Sequence, residues 1–318
     1  MNRPLIVILD NRYLSYDTEK NILAPLNPEL IFEKSLDQND IIRAAENADA
    51  VLVNLAVLDR PVIKRLKKCR CISRYGIGYD NVDLEAASES KIILANVPDY
   101  CIEEASDHTL ALLLSAVRGI PARDSGVRNG QWNIITPVPV RRLSGSILGL
   151  AGFGKIARAV VRKTAGWNFR EILCHDPFVS QDIMNAAGVK SAAFCDLLEQ
   201  SDFLTIHIPL NSKTVHFFGS REFSLMKKNA FIINTARGKI IDQGALLNAL
   251  RSGHLSGAAL DVYEEEPPLS DLLRLPNVVL SDHAAWYSQE SVLELKARAA
   301  QNIVDVLVSG STANRVNL

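Results

Sequence analysis

No stretch of this sequence stays apolar for the ~18 residues that a membrane-spanning helix requires, and no signal-peptide pattern precedes the first apolar run, Leu5 to Leu9. Charge of one sign is also missing: 35 basic against 36 acidic residues leave a net charge of −1. Bulk attraction to nucleic acid or to an anionic membrane is therefore not expected. The five cysteines are odd in number and scattered. Cys69 and Cys71 stand too close together for a zinc knuckle, and no matching Cys/His pair follows, so no metal site is expected. Reduced thiols in a cytoplasm are the simplest account. Low-complexity segments and short-period repeats are absent too. What the chain has is apolar content, 47% of 318 residues, enough for two cores at about 150 residues each.

The stretch Gly145 to Asp176 organises the rest. A short apolar strand, Ile147 to Ala151, runs into the turn Gly152-Phe-Gly154. A helix opening at Lys155 follows, then the strand Ile172 to His175, closed by Asp176. This is a βαβ dinucleotide-binding pattern. Gly152 allows the tight turn, Gly154 lets the backbone approach a pyrophosphate, and Ala157 fills the third glycine position. The helix start offers N–H groups and a positive dipole end to phosphates. Asp176 follows Gly154 by roughly the 20 residues the fingerprint asks of its ribose-binding acid. A carboxylate there accepts from ribose hydroxyls and repels a 2′-phosphate, which favours NAD over NADP.

Around this unit, apolar strands alternate with helices. Continuous runs such as Leu5–Leu9, Ala50–Val53, Cys71–Arg74 and Ile92–Ala95 are the mark of strands buried on both faces. Helices are expected at 40–47 (capped by Asn39 or Asp40), 61–68 and 83–90. A long helix is expected over Ile102–Arg118, stopped by Gly119 and Pro121, with an apolar surface wide enough to lie between domains or subunits. Residues 123 to 144 read as a polar connection. After Asp176 come strands at 203–207, 230–234, 257–261 and 278–280, a helix from Gly244 to Arg251 capped by Asp242, and a final helix from Ser288. The expected fold class is α/β: two doubly wound, Rossmann-like parallel-sheet domains with a cleft between them. One domain is 102–288. The other is discontinuous, 1–101 plus 289–318.

Ligands of such sheets sit outside the carboxyl ends of the strands. Arg237, Glu266 and His283 follow strands there. Taken singly, each has a plainer reading: a surface salt bridge, a solvated charge, a structural histidine. His108, His175, His207, His216 and His254 have only the structural reading. Together the three form a working set. A hydride arriving at a carbonyl carbon leaves charge on the oxygen, which needs a proton. Histidine is the natural donor near neutral pH, an adjacent carboxylate favours its imidazolium form, and a guanidinium binds a substrate carboxylate and polarises the carbonyl.

The chain resembles the D-isomer-specific 2-hydroxyacid dehydrogenases. The matching stretches are Arg74-Tyr-Gly-Ile-Gly-Tyr-Asp-Asn-Val-Asp83, Asn96-Val-Pro98, Gly149–Ile156, His207-Ile-Pro-Leu-Asn211, Asn234-Thr-Ala-Arg-Gly238, Gly257–Val262 with Glu264–Pro267, and His283. The resemblance implies catalytic roles for Arg237, Glu266 and His283, with His283 as proton donor between a 2-oxo acid and its D-2-hydroxy acid. It implies that Gly152, Gly154, Lys155, Ile156, Asp176, Ile208, Pro209, Thr235 and Ala236 hold NAD. Asp261 would hold the nicotinamide amide, and the Ile77 and Gly78 backbone a substrate carboxylate. A homodimer through the NAD-binding domain is implied as well. The run His283-Ala-Ala-Trp-Tyr-Ser288 is similar to the branch containing the C-terminal binding proteins, corepressors that keep a dehydrogenase fold, and it marks Trp286 as an apolar pocket wall or else a core residue. Asp282 departs from the family's usual proline. The rival class is an NAD(H)-sensing binding protein without significant turnover. Against it, all three catalytic positions are filled.

Overall fold

The computed structural model describes residues 3–10, 12–132, 140–269 and 271–317. The chain separates into two compact units, Met1–Tyr100 with Ser288–Leu318, and Cys101–Tyr287. Each is built on a sheet whose recorded strand pairings are all parallel.

The first unit has strands β1 (Leu5–Ile8), β2 (Glu29–Phe32), β3 (Ala50–Val53), β4 (Cys71–Arg74) and β5 (Ile93–Ala95), in the spatial order β2-β1-β3-β4-β5. β3 is buried along its whole length, as its unbroken apolar sequence requires when helices cover both faces. β2 escapes the sequence pattern. It is an edge strand, only partly buried, and shows no clean alternation. Where the order reverses, between β1 and β3, the buried Asp10 accepts the N–H groups of Asn54, Leu55 and Ala56 on one carboxylate oxygen. The final helix, Gln289–Ser309, packs on β4. Ser73 donates to Ala299 O at 2.8 Å, and Asn302 donates to Asn96 O at 2.9 Å.

Helix starts here follow side-chain caps. Asp37, not Asn39 or Asp40, caps the helix Gln38–Ala45 by accepting from both of their N–H groups. The helix at Pro61 is a single turn, Arg60–Ile63, capped by Asp59. Asp83 caps Leu84–Glu89.

The second unit has β6 (Ile147–Ala151), β7 (Glu171–His175), β8 (Lys190–Ser191), β9 (Phe203–Ile206), β10 (Phe231–Asn234), β11 (Gly257–Leu260) and β12 (Val278–Leu280). Their order is β12-β11-β10-β9-β6-β7-β8, the doubly wound arrangement that reverses between β6 and β9. The helix Ile102–Arg118 lies on this sheet. Leu110, Leu112, Leu113, Ala116 and Val117 join Leu148, Leu150, Phe153 and Ile233 in one core. Most of its apolar residues are thus packed inside its own unit, while Leu114 stays exposed. Gly119 does end it, in the left-handed conformation. Pro121, however, opens a second helix, Ile120–Arg128, where a connection was expected. Proline at a first helical turn gives up an N–H that has no partner anyway. Of the rest of that expected connection, residues 133–139 lie outside the described residues.

Candidate active site

The reversal between β6 and β9 has a built cradle. Gly152 has φ +97, and a Cβ there would lie 2.8 Å from His207 O and 3.1 Å from the Ile208 side chain. Only glycine combines that backbone conformation with that approach. At Gly154 a Cβ would meet nothing within 4 Å, so the space before the helix Lys155–Lys163 is open. That helix has no side-chain cap, which leaves its first turn facing the cradle. Asp176, just past β7, accepts from Phe153 N–H on one oxygen and from Phe178 N–H on the other, both at 2.8 Å. Open backbone, a positive helix end and a carboxylate at the next strand end fit a dinucleotide. His207, whose imidazole bonds Thr205 Oγ1 at 3.0 Å, is pushed by burial down to about 4 and is neutral near neutral pH.

The next strand ends carry charged chemistry. After β10, the fully buried Asn234 clamps the turn: its Nδ2 donates to Arg237 O at 2.9 Å and its Oδ1 accepts from Ala236 N–H at 3.0 Å. Arg237 donates to Ala236 O at 2.8 Å. Gly238 then passes so close to the loop after β11 that a Cβ would stand 1.9 Å from Tyr263 C and O. That loop bears Glu266. Glu266 accepts from Tyr263 N–H at 3.1 Å on Oε1 and pairs with His283 Nδ1 at 2.7 Å on Oε2. Burial alone would raise the Glu266 carboxyl. The hydrogen bond and charge of His283, the Tyr263 N–H and the charge of Arg237 outweigh it and hold the group below the ordinary range. Glu266 and His283 are thus in contact, with Arg237 near enough for its charge to act on Glu266.

His283 itself has φ +57, unusual for a residue with a Cβ. Asp261 holds the turn there. Its carbonyl accepts from His283 N–H at 2.8 Å, and its carboxylate oxygens accept from Ala284 N–H and Ala285 N–H, each at 2.9 Å. Ser281 Oγ donates to Oδ1 at 2.6 Å, and His108 Nε2 lies 3.3 Å from the same oxygen. Burial would raise this enclosed carboxyl, but those four partners bring it down to about 2. Trp286 is half-buried and meets Tyr287 edge-to-face at 5.6 Å. Asp282 is exposed. In the first unit, Ile77 and Gly78 follow β4, with Ile77 O held by Asn96 Nδ2 at 2.7 Å. Among the described residues no cluster of three or more His, Cys, Asp or Glu could hold a metal ion, and no helix is long and apolar enough to cross a membrane.

Two participants are absent from the sequence reading. Asn234 carries no role in the motif reading, and His108 reads only as structural. Asn234 had a local signal, since its partners Ala236 and Arg237 follow it in the same motif, whereas the partners of His108 lie more than 150 residues away in the chain.

Residues 110–285 match the model of the D-isomer specific 2-hydroxyacid dehydrogenase NAD binding domain. The chain belongs to that family. It is 38% identical over 272 residues to a glyoxylate reductase of Korarchaeum cryptofilum, covering 83% of this chain and 81% of that one. It is 35% identical to a D-3-phosphoglycerate dehydrogenase of Methanocaldococcus jannaschii over 89% of this chain, but spans only 54% of that enzyme's length. A solved glyoxylate reductase from Paecilomyes thermophila superposes with a TM-score of 0.91 at 27% identity, covering 99% of each chain. As a member of the 2-hydroxyacid dehydrogenases, this chain is an oxidoreductase that interconverts 2-oxo and 2-hydroxy acids with a nicotinamide dinucleotide. The sensing alternative is not favoured, since these relatives are named as enzymes.

Proposed function

We propose that the chain reduces a small 2-oxo acid to its D-2-hydroxy acid with NADH, and runs the reverse with NAD, through Arg237, Glu266 and His283. The observation that carries this reading is the 2.7 Å bond between Glu266 Oε2 and His283 Nδ1 at the same strand ends as Arg237. A carboxylate accepting from Nδ1–H leaves Nε2 as the position that gives the substrate its proton. The Arg237 guanidinium takes the acid's carboxylate and stabilises charge growing on the carbonyl oxygen. The Ile77 and Gly78 backbone holds the carboxylate as well, and Trp286 forms an apolar wall. When bound, the nicotinamide supplies or accepts the hydride. Gly152, Gly154, Lys155 and Ile156 hold the pyrophosphate side, Asp176 the ribose, and Ile208, Pro209, Thr235 and Ala236 line the cofactor. Asp261 takes the carboxamide on Oδ2, which accepts only from Ala285 N–H among the described residues.

The likeness to glyoxylate reductases puts glyoxylate first among candidate acids. A phosphate-bearing acid would need a basic residue beside Gly76. Arg74, the candidate, donates to Tyr75 O at 2.7 Å and folds over Gly76, where a Cβ would stand 1.5 Å from its Nη1. A basic group thus stands beside Gly76, and a guanidinium has five N–H donors, so phosphate-bearing acids belong in the panel beside unphosphorylated ones. The test is loss of reduced-nicotinamide absorbance against a panel of 2-oxo acids, with NADH and NADPH side by side. Turnover is expected with NADH and glyoxylate, and Arg237→Ala should abolish it. Tight NADH binding without turnover of any acid would move the reading to a sensing protein.

Asp176→Ser should shift the NADH to NADPH ratio of kcat/KM toward NADPH by about tenfold, the effect of roughly 1.4 kcal/mol. A wild-type enzyme already indifferent to the 2′-phosphate would sink the role given to Asp176. A homodimer through the NAD-binding unit is in keeping with exposed Ile120, Val127 and Trp132, and a cytoplasmic location with five free cysteines.

A further inference from the structure

Two adjacent side chains of the helix Ile102–Arg118 reach the two turns that carry the charged groups. His108 Nε2 lies 2.9 Å from Ser281 Oγ and 3.3 Å from Asp261 Oδ1. The hydroxyl of Ser281 has one proton, and it is given to Asp261, a carboxylate that can only accept. At the contact with His108, Ser281 therefore accepts, and the imidazole proton sits on Nε2. Next along the helix, Thr109 gives its proton to Ala105 O at 2.7 Å. It must then accept from Thr235 Oγ1, 2.8 Å away. Thr235 lies two residues before Arg237, and Asp261 holds the backbone of His283, Ala284 and Ala285.

We propose that this helix sets the geometry of the proton donor and the substrate guanidinium through neighbouring residues: His108, by way of Ser281 and Asp261, for the His283 turn, and Thr109, by way of Thr235, for the Arg237 turn. His108 and Thr109 are positioning residues and touch no reacting atom. The helix is anchored independently, because its apolar side is buried in the core of the NAD-binding unit, so it is a fixed reference for two loops at strand ends. Holding His283 in a backbone conformation that side chains avoid needs such a reference, since the unaided turn would relax toward negative φ. The proposal rests on the catalytic reading of His283 and Arg237.

The experiment is steady-state kinetics with NADH and glyoxylate, or the acid of the panel that wild type reduces fastest, alongside thermal midpoints. His108→Ala should lower kcat about tenfold with both KM values within twofold, as a slightly misplaced donor does. His108→Gln, whose amide N–H reaches toward the place of Nε2, should restore most of it. Combined with His283→Ala, His108→Ala should cost nothing further, because it acts only through that residue. Thr109→Val should raise the KM of the acid, and Thr109→Ser should recover it. Wild-type kcat in His108→Ala, an effect additive with His283→Ala, or a rise in the NADH KM alone would overturn the proposal. If His108→Ala fails to fold, His108→Gln against His108→Asn, an amide one methylene shorter, makes the same comparison. Failure of the catalytic reading would show differently, as full turnover in His283→Ala itself.

Discussion

Replacing His283 with alanine should lower kcat for 2-oxo acid reduction by about 10²- to 10⁴-fold, the usual contribution of a positioned proton donor. The loss should fall on the chemical step. NADH binding, followed by fluorescence titration, should stay within twofold, because the cradle at Gly152 and Gly154 belongs to a different pair of strands. Glu266→Gln should do less harm than His283→Ala. An amide oxygen can still accept from Nδ1–H across the 2.7 Å contact, but the charge that favours the imidazolium is gone. The deficit of Glu266→Gln should therefore fall on kcat and leave the KM of NADH within twofold. Equal kcat in wild type and His283→Ala at every pH would remove His283 from the mechanism.

Asp261→Asn should destabilise the protein near neutral pH and change the way it unfolds in acid. The native carboxyl titrates at about 2, below the unfolded value of about 3.9. A depressed native value stabilises the fold above the unfolded value, and that stabilisation is lost as pH falls toward the native one. The window is therefore pH 4 down to 2, and a shift of about two units corresponds to roughly 2 to 3 kcal/mol. The asparagine variant has no such titration. Its amide also turns hydrogens toward Ser281, His108 or the N–H groups of Ala284 and Ala285, where the carboxylate had only acceptors. Denaturant unfolding at pH 7, 4, 3 and 2 should show the gap between wild type and variant closing toward pH 2. A gap of constant size would mean that the carboxylate is not the group that holds the turn.

The strands were legible where burial on both faces demands an unbroken apolar run. Ala50–Val53, Cys71–Arg74 and Ile147–Ala151 needed no tertiary information. The helices hidden from the pattern are short ones, such as Asp17–Leu23, Gln181–Ala186 and Phe194–Gln200. Each shows only one or two turns of periodicity, and Asp17–Leu23 finds its partner in the final helix, more than 260 residues on. Pro121 misled for a related reason: proline ends one helix and begins another by the same missing N–H.

The sequence by itself determined the dinucleotide cradle and the charged residues at the strand ends. Those features are local: two glycines before a helix start, an acid one strand later, and motifs in which every residue lies within a few positions of the next. Tertiary structure decided what links one strand end to another. The pairing of Glu266 with His283 spans 17 residues, the Thr109–Thr235 contact 126, and that of His108 with Ser281 173. Hydrogen bonds over such separations exist only once the sheet order β12-β11-β10 has set those turns side by side. A strand's apolar run says that it is buried but not which strand it lies beside.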